Sequence, residues 1–194
     1  MRGVYTATLC IVLLVWSLSV NGEFLDALIL KDVAKEYEDT GETDPGWTEF
    51  ELVEKYRYRT PEGGTWIVPK GYVVDGASIP KSTWSIIGGP WSGRYRNAAV
   101  LHDWMCDETI SNSNYVHRLF YDVLLESGVN TIKAKIMYIA VRKYGPQWEK
   151  ATGFGLKPEV YRPVFDQSEF DALVDQVRQK NSSIDQINNL IDNY

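Results

Sequence analysis

The amino-acid sequence predicts an α+β fold: a small antiparallel β-sheet followed by an α-helical bundle. Three observations carry this. Phe50, Leu52, Tyr56 and Tyr58 fall on even positions with charged residues between them, the period-two pattern of a half-buried strand. Pro61-Glu62-Gly63-Gly64 then makes a turn, after which Thr65–Pro69 and Tyr72–Asp75 read as returning strands. From Arg96 onward the apolar spacing becomes helical, in three runs punctuated by glycine.

Taken in order, residues 1–22 read as a secretory leader. Arg2 gives a short basic start, Leu9–Val15 is apolar, and Val20 and Gly22 suit the small-residue positions before a cleavage site. The expected mature chain of 172 residues suits one domain with its own core. Residues 23–46 read as an N-terminal helix and loop. Apolar residues at 24, 25, 28, 30, 33, 34 and 37 give Phe24–Tyr37 a roughly helical spacing, and Glu38–Gly46 holds two glycines and a proline. Residues 47–150 form the expected core domain. Within it, Asp75-Gly76-Ala77-Ser78-Ile79-Pro80 ends the sheet, and residues 81–93 form a loop. Helices are expected over Arg96–Glu108, over Asn114–Ser127 with Gly128 behind it, and over Thr131–Tyr144 with Gly145-Pro146 behind it. Residues 151–194 are a C-terminal extension. Its Ser168–Asp192 stretch reads as one amphipathic helix or two, with an apolar face suited to the domain or to another protein chain.

Bulk properties exclude some partners. The chain carries 20 Lys and Arg against 26 Asp and Glu, a net charge of −6, and losing Arg2 makes it −7. Nucleic acid binding needs clustered positive charge, so no nucleic acid is expected. Beyond the leader no stretch is long and apolar enough for a transmembrane segment. Without Cys10 only Cys106 remains, so no internal disulfide is expected, and burial is its commonest fate. Asn181-Ser182-Ser183 is a glycosylation sequon for a eukaryotic host.

Chemistry concentrates at His102, one of two histidines, with Asp103 directly behind it and Asp122 twenty residues on. Folding the two helices against each other would let Asp122 orient the imidazole, which then takes a proton from water. Asp103 lies about 100° round the helix from His102, which leaves it for a cation such as Ca2+, with Asp75 and the loop at 88–93 as further oxygen donors. Ser78 lacks a nucleophile elbow. Cys106 shares the His102 face, one turn on, with nothing to mark its thiolate as stabilised. His117, among Tyr115, Phe120 and Tyr121, reads as packing or surface. Trp66, Tyr72 and Ser78 are candidate binding residues, with Trp66 and Tyr72 on an aromatic sheet.

The segments WIVPKGYVVDGASIPKSTW (66–84), YRNAAVLHDWMC (95–106), HRLFYDVLLESG (117–128) and YIAVRKYGP (138–146) together resemble a family of bacterial and phage domains of unknown function, numbered thirteen fifty-three. The resemblance spans about residues 47–150, and the family name supplies no activity. A second resemblance, to the small prokaryotic secreted phospholipases A2, rests on the His-Asp pair and the later Asp. It implies His102 as the base, Asp103 and Asp75 on calcium, Asp122 as the orienting carboxylate, and a lipid ester as substrate. The cysteine-rich calcium loop of that family is missing here. Two functions therefore follow as expectations: a secreted, calcium-assisted lipid esterase, or a non-enzymatic binding or assembly module whose His and Asp residues form a structural polar network.

Overall fold

The computed structural model describes residues 21–33, 49–74, 88, 93–151 and 156–193. Most of the expected leader, Trp47, the Asp75–Pro80 turn with Ser78, and most of the 81–93 loop lie outside the described residues.

The fold is α+β, strands first and helices after. The strands are β1 (Glu23–Phe24), β2 (Leu30–Asp32), β3 (Phe50–Leu52), β4 (Tyr56–Arg59), β5 (Thr65–Val68) and β6 (Val73–Val74). They form two antiparallel three-stranded sheets, ordered β1-β4-β5 and β2-β3-β6, where the sequence led us to expect one. The even-position alternation is continuous, but a bend at 53–54 moves the chain from one sheet to the other between β3 and β4. Tyr56 and Tyr58 point into the core while Arg57 and Arg59 face outward. The β4–β5 hairpin turns at Gly63, whose φ of +88° is the left-handed conformation that glycine tolerates.

The expected helix over Phe24–Tyr37 does not form within the described residues; β1 and β2 occupy that stretch. Phe24 pairs with Tyr58 and Leu30 with Leu52. Between the two strands, Asp26 accepts bonds from the Arg57 backbone N–H at 3.0 Å and from its Nε and Nη2 at 2.8 Å each. Those partners lie about thirty residues away, and cross-strand pairing overrides the local helical spacing.

Five helices follow among the described residues: α1 (Arg96–Asp107), α2 (Ser113–Glu126), α3 (Thr131–Tyr144), α4 (Gln167–Lys180) and α5 (Ile184–Asp192). Asn112, Asn130, Asp166 and Ser183 each cap a helix by accepting backbone N–H bonds, and Ser183 with Gln186 closes a full capping box. Helix α3 is the centre of the bundle. Eight consecutive residues, Ala134 to Val141, are buried, because α2, α4 and α5 all pack on it. The apolar face of the C-terminal extension is covered by the chain itself: Phe170, Leu173, Val174, Val177, Ile187 and Ile191 are all buried in the core. That face is therefore not available to another protein chain. No described helix is long and apolar enough to cross a membrane.

Candidate functional site

Helix α1 brings His102 and Cys106 to one face, because residues four apart sit one turn above each other. The connection 108–112 then reverses the chain, with Thr109 and Ser111 in the left-handed region at φ 48° and 56°. This tight return packs α2 against α1 and sets His117 opposite His102. Nε2 of His102 lies 3.0 Å from Nδ1 of His117, and Nε2 of His117 lies 3.0 Å from the Pro146 carbonyl oxygen. His102 is 6% exposed and His117 0%. Burial pushes both imidazoles down to about 3; at His117 the neighbouring His102 pushes the same way and the Pro146 carbonyl opposes it. Both rings are therefore neutral at pH 7.

Neutrality and geometry together assign the protons. The Pro146 carbonyl only accepts, so His117 donates to it from Nε2 and keeps a lone pair on Nδ1. His102 must then donate from its own Nε2 to that lone pair, which leaves His102 Nδ1 bare. Asp103 Oδ1 lies 3.5 Å from that bare Nδ1. Two acceptors thus face each other. The sequence-based expectation that Asp103 points away from His102 is corrected: the carboxylate comes within 3.5 Å of the ring nitrogen and is mostly buried beside it.

Cys106 completes the cluster, with Sγ 3.6 Å from His102 Nε2 and 3.9 Å from its Nδ1. Burial pushes its thiol well above the usual range; Asp103 and Asp107 add to this and Arg162 opposes it. At neutral pH the thiol keeps its proton.

His102, Asp103 and Cys106 open onto a cavity of about 280 Å³ whose other walls include Tyr72, Asp107, Arg162 and Pro146. The Tyr72 hydroxyl donates to Asp107 Oδ2 at 2.8 Å, fastening the chain before β6 to the end of α1. A larger furrow of about 780 Å³ runs past Arg142, Trp148 and Tyr161. It is wide and shallow, and the buried imidazoles do not line it, so the smaller cavity is the chemical candidate.

Other sequence-predicted residues stand elsewhere. Asp122 does not orient His102. It accepts from Nε of Arg118 at 3.2 Å, one turn back on α2, and lines a separate cavity with Tyr58 and Glu126. The reason is rotation: five residues separate His117 from Asp122, so the two project from different sides of the helix. Trp66 stacks edge-on to Tyr115 at 6.5 Å, away from the His102 cavity, whereas Tyr72 lines it. Asn181 ends α4 in a left-handed conformation and accepts from Lys135 Nζ at 3.0 Å. Asp75 and Ser78 lie outside the described residues. His117 and the Pro146 carbonyl were the residues missed. The available signal was arithmetic: in a chain with two histidines, the second sits in the next helix at hairpin distance from a His-x-x-x-Cys turn.

A strand-and-helix domain that sets an imidazole, a thiol and a carboxylate at the edge of one cavity, with a second imidazole buried behind the first, is the unit these observations define. Residues 50–141 match the model of the family described as "Protein of unknown function (DUF1353)", and that stretch belongs to this family. The chain is 47% identical over 103 residues to "Uncharacterized protein y4jT" of Sinorhizobium fredii (strain NBRC 101917 / NGR234), an alignment covering 53% of this chain and 31% of that protein. It is 39% identical over 105 residues to "Uncharacterized protein y4iH" of the same strain, covering 54% of this chain and 44% of that protein. The matched part thus spans under half the length of either relative. No solved structure matches the chain.

Proposed function

We propose that the protein is a hydrolase acting at the His102–Asp103 cavity. One observation carries the reading: a bare, buried imidazole nitrogen, a carboxylate 3.5 Å away and the Arg162 side chain converge on one cavity of about 280 Å³. The Asp103 carboxylate supplies a base for a water proton, joined by the bare nitrogen only when no ion holds His102 Nε2, and the guanidinium suits the negative oxygen of an ester or amide as water adds to it. His117 takes the orienting role expected of Asp122, holding the ring by accepting from His102 Nε2. The cavity is headgroup-sized and partly charged, so it fits a small polar ester better than an acyl chain. The leader makes this an exported enzyme, with a glycan at Asn181 only in a host that adds one. A divalent cation assists. Calcium takes six to eight oxygens, whereas the grouped donors that could hold an ion are the nitrogens of His102 and His117 and the sulfur of Cys106, which favours an ion of intermediate softness over calcium.

The test is hydrolysis of short-chain esters, amides and phospholipid vesicles by the purified protein, with and without chelator and with calcium or zinc restored. Turnover should be highest on short, anionic esters and should fall at least a hundredfold in Asp103→Asn. Absence of turnover on every substrate, or full activity in the variant, would sink the proposal.

A second reading has its own support. The hydrogen bonds from His102 through His117 to Pro146 tie α1 and α2 to the end of α3, which suits a structural network in a non-enzymatic module. In that case Asp103→Asn changes the unfolding midpoint and no catalytic quantity.

A further inference from the structure

We propose that His102 Nε2, His117 Nδ1 and Cys106 Sγ form a three-donor site for zinc or a similar borderline divalent ion, with a fourth position on the cavity side. The inference stands on the positions of these atoms and holds whether the bound ion is structural or hydrolytic.

The first support is spacing. Zinc takes imidazole nitrogen at about 2.0–2.1 Å and thiolate sulfur at about 2.3 Å in a tetrahedron, which puts two nitrogens about 3.3 Å apart and nitrogen and sulfur about 3.6 Å apart. The nitrogens of His102 and His117 are 3.0 Å apart, and Sγ of Cys106 is 3.6 Å from His102 Nε2. One ligand atom from each of the three residues lies within 4.8 Å of the others. An ion entering between the two rings need part them by only a few tenths of an ångström.

The second support is the outer layer of acceptors. Metal-bound histidines usually donate their remaining N–H to a carboxylate or a backbone carbonyl. His117 already does so, from Nε2 to Pro146. His102 does so only once an ion takes its Nε2. The proton moves to Nδ1, and Nδ1–H then donates to Asp103 Oδ1, its neighbour at 3.5 Å. The ion therefore converts a contact between two acceptors into a hydrogen bond. The proton balance is simple: His102 exchanges one tautomer for the other, and Cys106 releases its thiol proton to solvent as sulfur binds.

The third support is donor chemistry. Two neutral imidazoles and one thiolate match the nitrogen and sulfur preference of zinc, and three protein ligands leave a position for water. Two of the three ligands, His102 and Cys106, line the cavity together with Asp103 and Arg162, which is where a water on the ion would be reached.

The experiment uses the whole purified chain, expressed with zinc supplied, dialysed, and analysed for bound metal. The metal-free protein is then titrated with Co2+. One equivalent of zinc per chain is expected, together with a sulfur-to-cobalt charge-transfer band and the intense visible bands of tetrahedral cobalt. Cys106→Ala should lose the charge-transfer band. Asp103→Asn should keep the band and bind zinc 10- to 100-fold more weakly. Circular dichroism shows that each variant is folded. No bound zinc with only the spectrum of hydrated cobalt, an unchanged band in Cys106→Ala, or uptake of calcium alone would each overturn the site. Zinc bound without ester or amide hydrolysis would leave the site standing and remove the hydrolase reading.

Discussion

Arg57 closes on Asp26 through its backbone N–H and two guanidinium nitrogens, and the bond lowers the Asp26 carboxyl from its ordinary 3.8. A carboxyl lowered in this way contributes stability above its unfolded value, and the contribution is lost as pH falls through the folded one. Asp26→Asn should therefore be less stable than the parent at pH 7, with the gap closing below about pH 3.8 and shrinking in high salt, as denaturant titration across pH would show. A constant gap from pH 7 to pH 2 would contradict this. At the same scale the sequence was partly legible. The His102–Cys106 turn and its acidic neighbour could be read from spacing, since four residues make a helical turn. The partner of His102 could not. Asp122 is captured by Arg118 on its own helix, and only the short 108–112 connection decides which α2 residue meets the ring.

Elements obey signals of different range. The helices α2 and α3 were legible almost to the residue, because Asn112 and Asn130 cap them and Gly128 and Gly145-Pro146 stop them locally. The strands β1 and β2 were not, because their identity rests on partners in β3 and β4. The capping box gives a direct check on α5. Ser183 accepts from the Gln186 N–H at 3.2 Å, and Gln186 accepts from the Ser183 N–H at 2.8 Å. Ser183→Ala should cost about 1 kcal/mol in thermal or chemical unfolding. A loss beyond about 3 kcal/mol would mean that Ser183 does more than cap.

Across the whole molecule, stability and function share α3. Met137 is fully buried in this helix, and Pro146, the acceptor for His117, follows its C-terminus. Met137→Ala should destabilise the protein by about 2–5 kcal/mol in equilibrium unfolding. A cost under about 1 kcal/mol would show that the bundle is not packed around α3. The α+β order and the helical bundle were visible in the sequence because they follow from periodicity. The division into two sheets and the burial of the C-terminal face were not, because both are decided by tertiary packing. The hydrolytic and metal-binding readings both depend on two buried, neutral imidazoles bonded to one another. A long-range proton–nitrogen NMR spectrum of the metal-free protein at pH 7 tests this most directly. It should show both histidines neutral and protonated at Nε2, with the His102 proton shared with His117 Nδ1. A charged His102, or a His102 protonated at Nδ1 with no coupling to His117, would contradict the account.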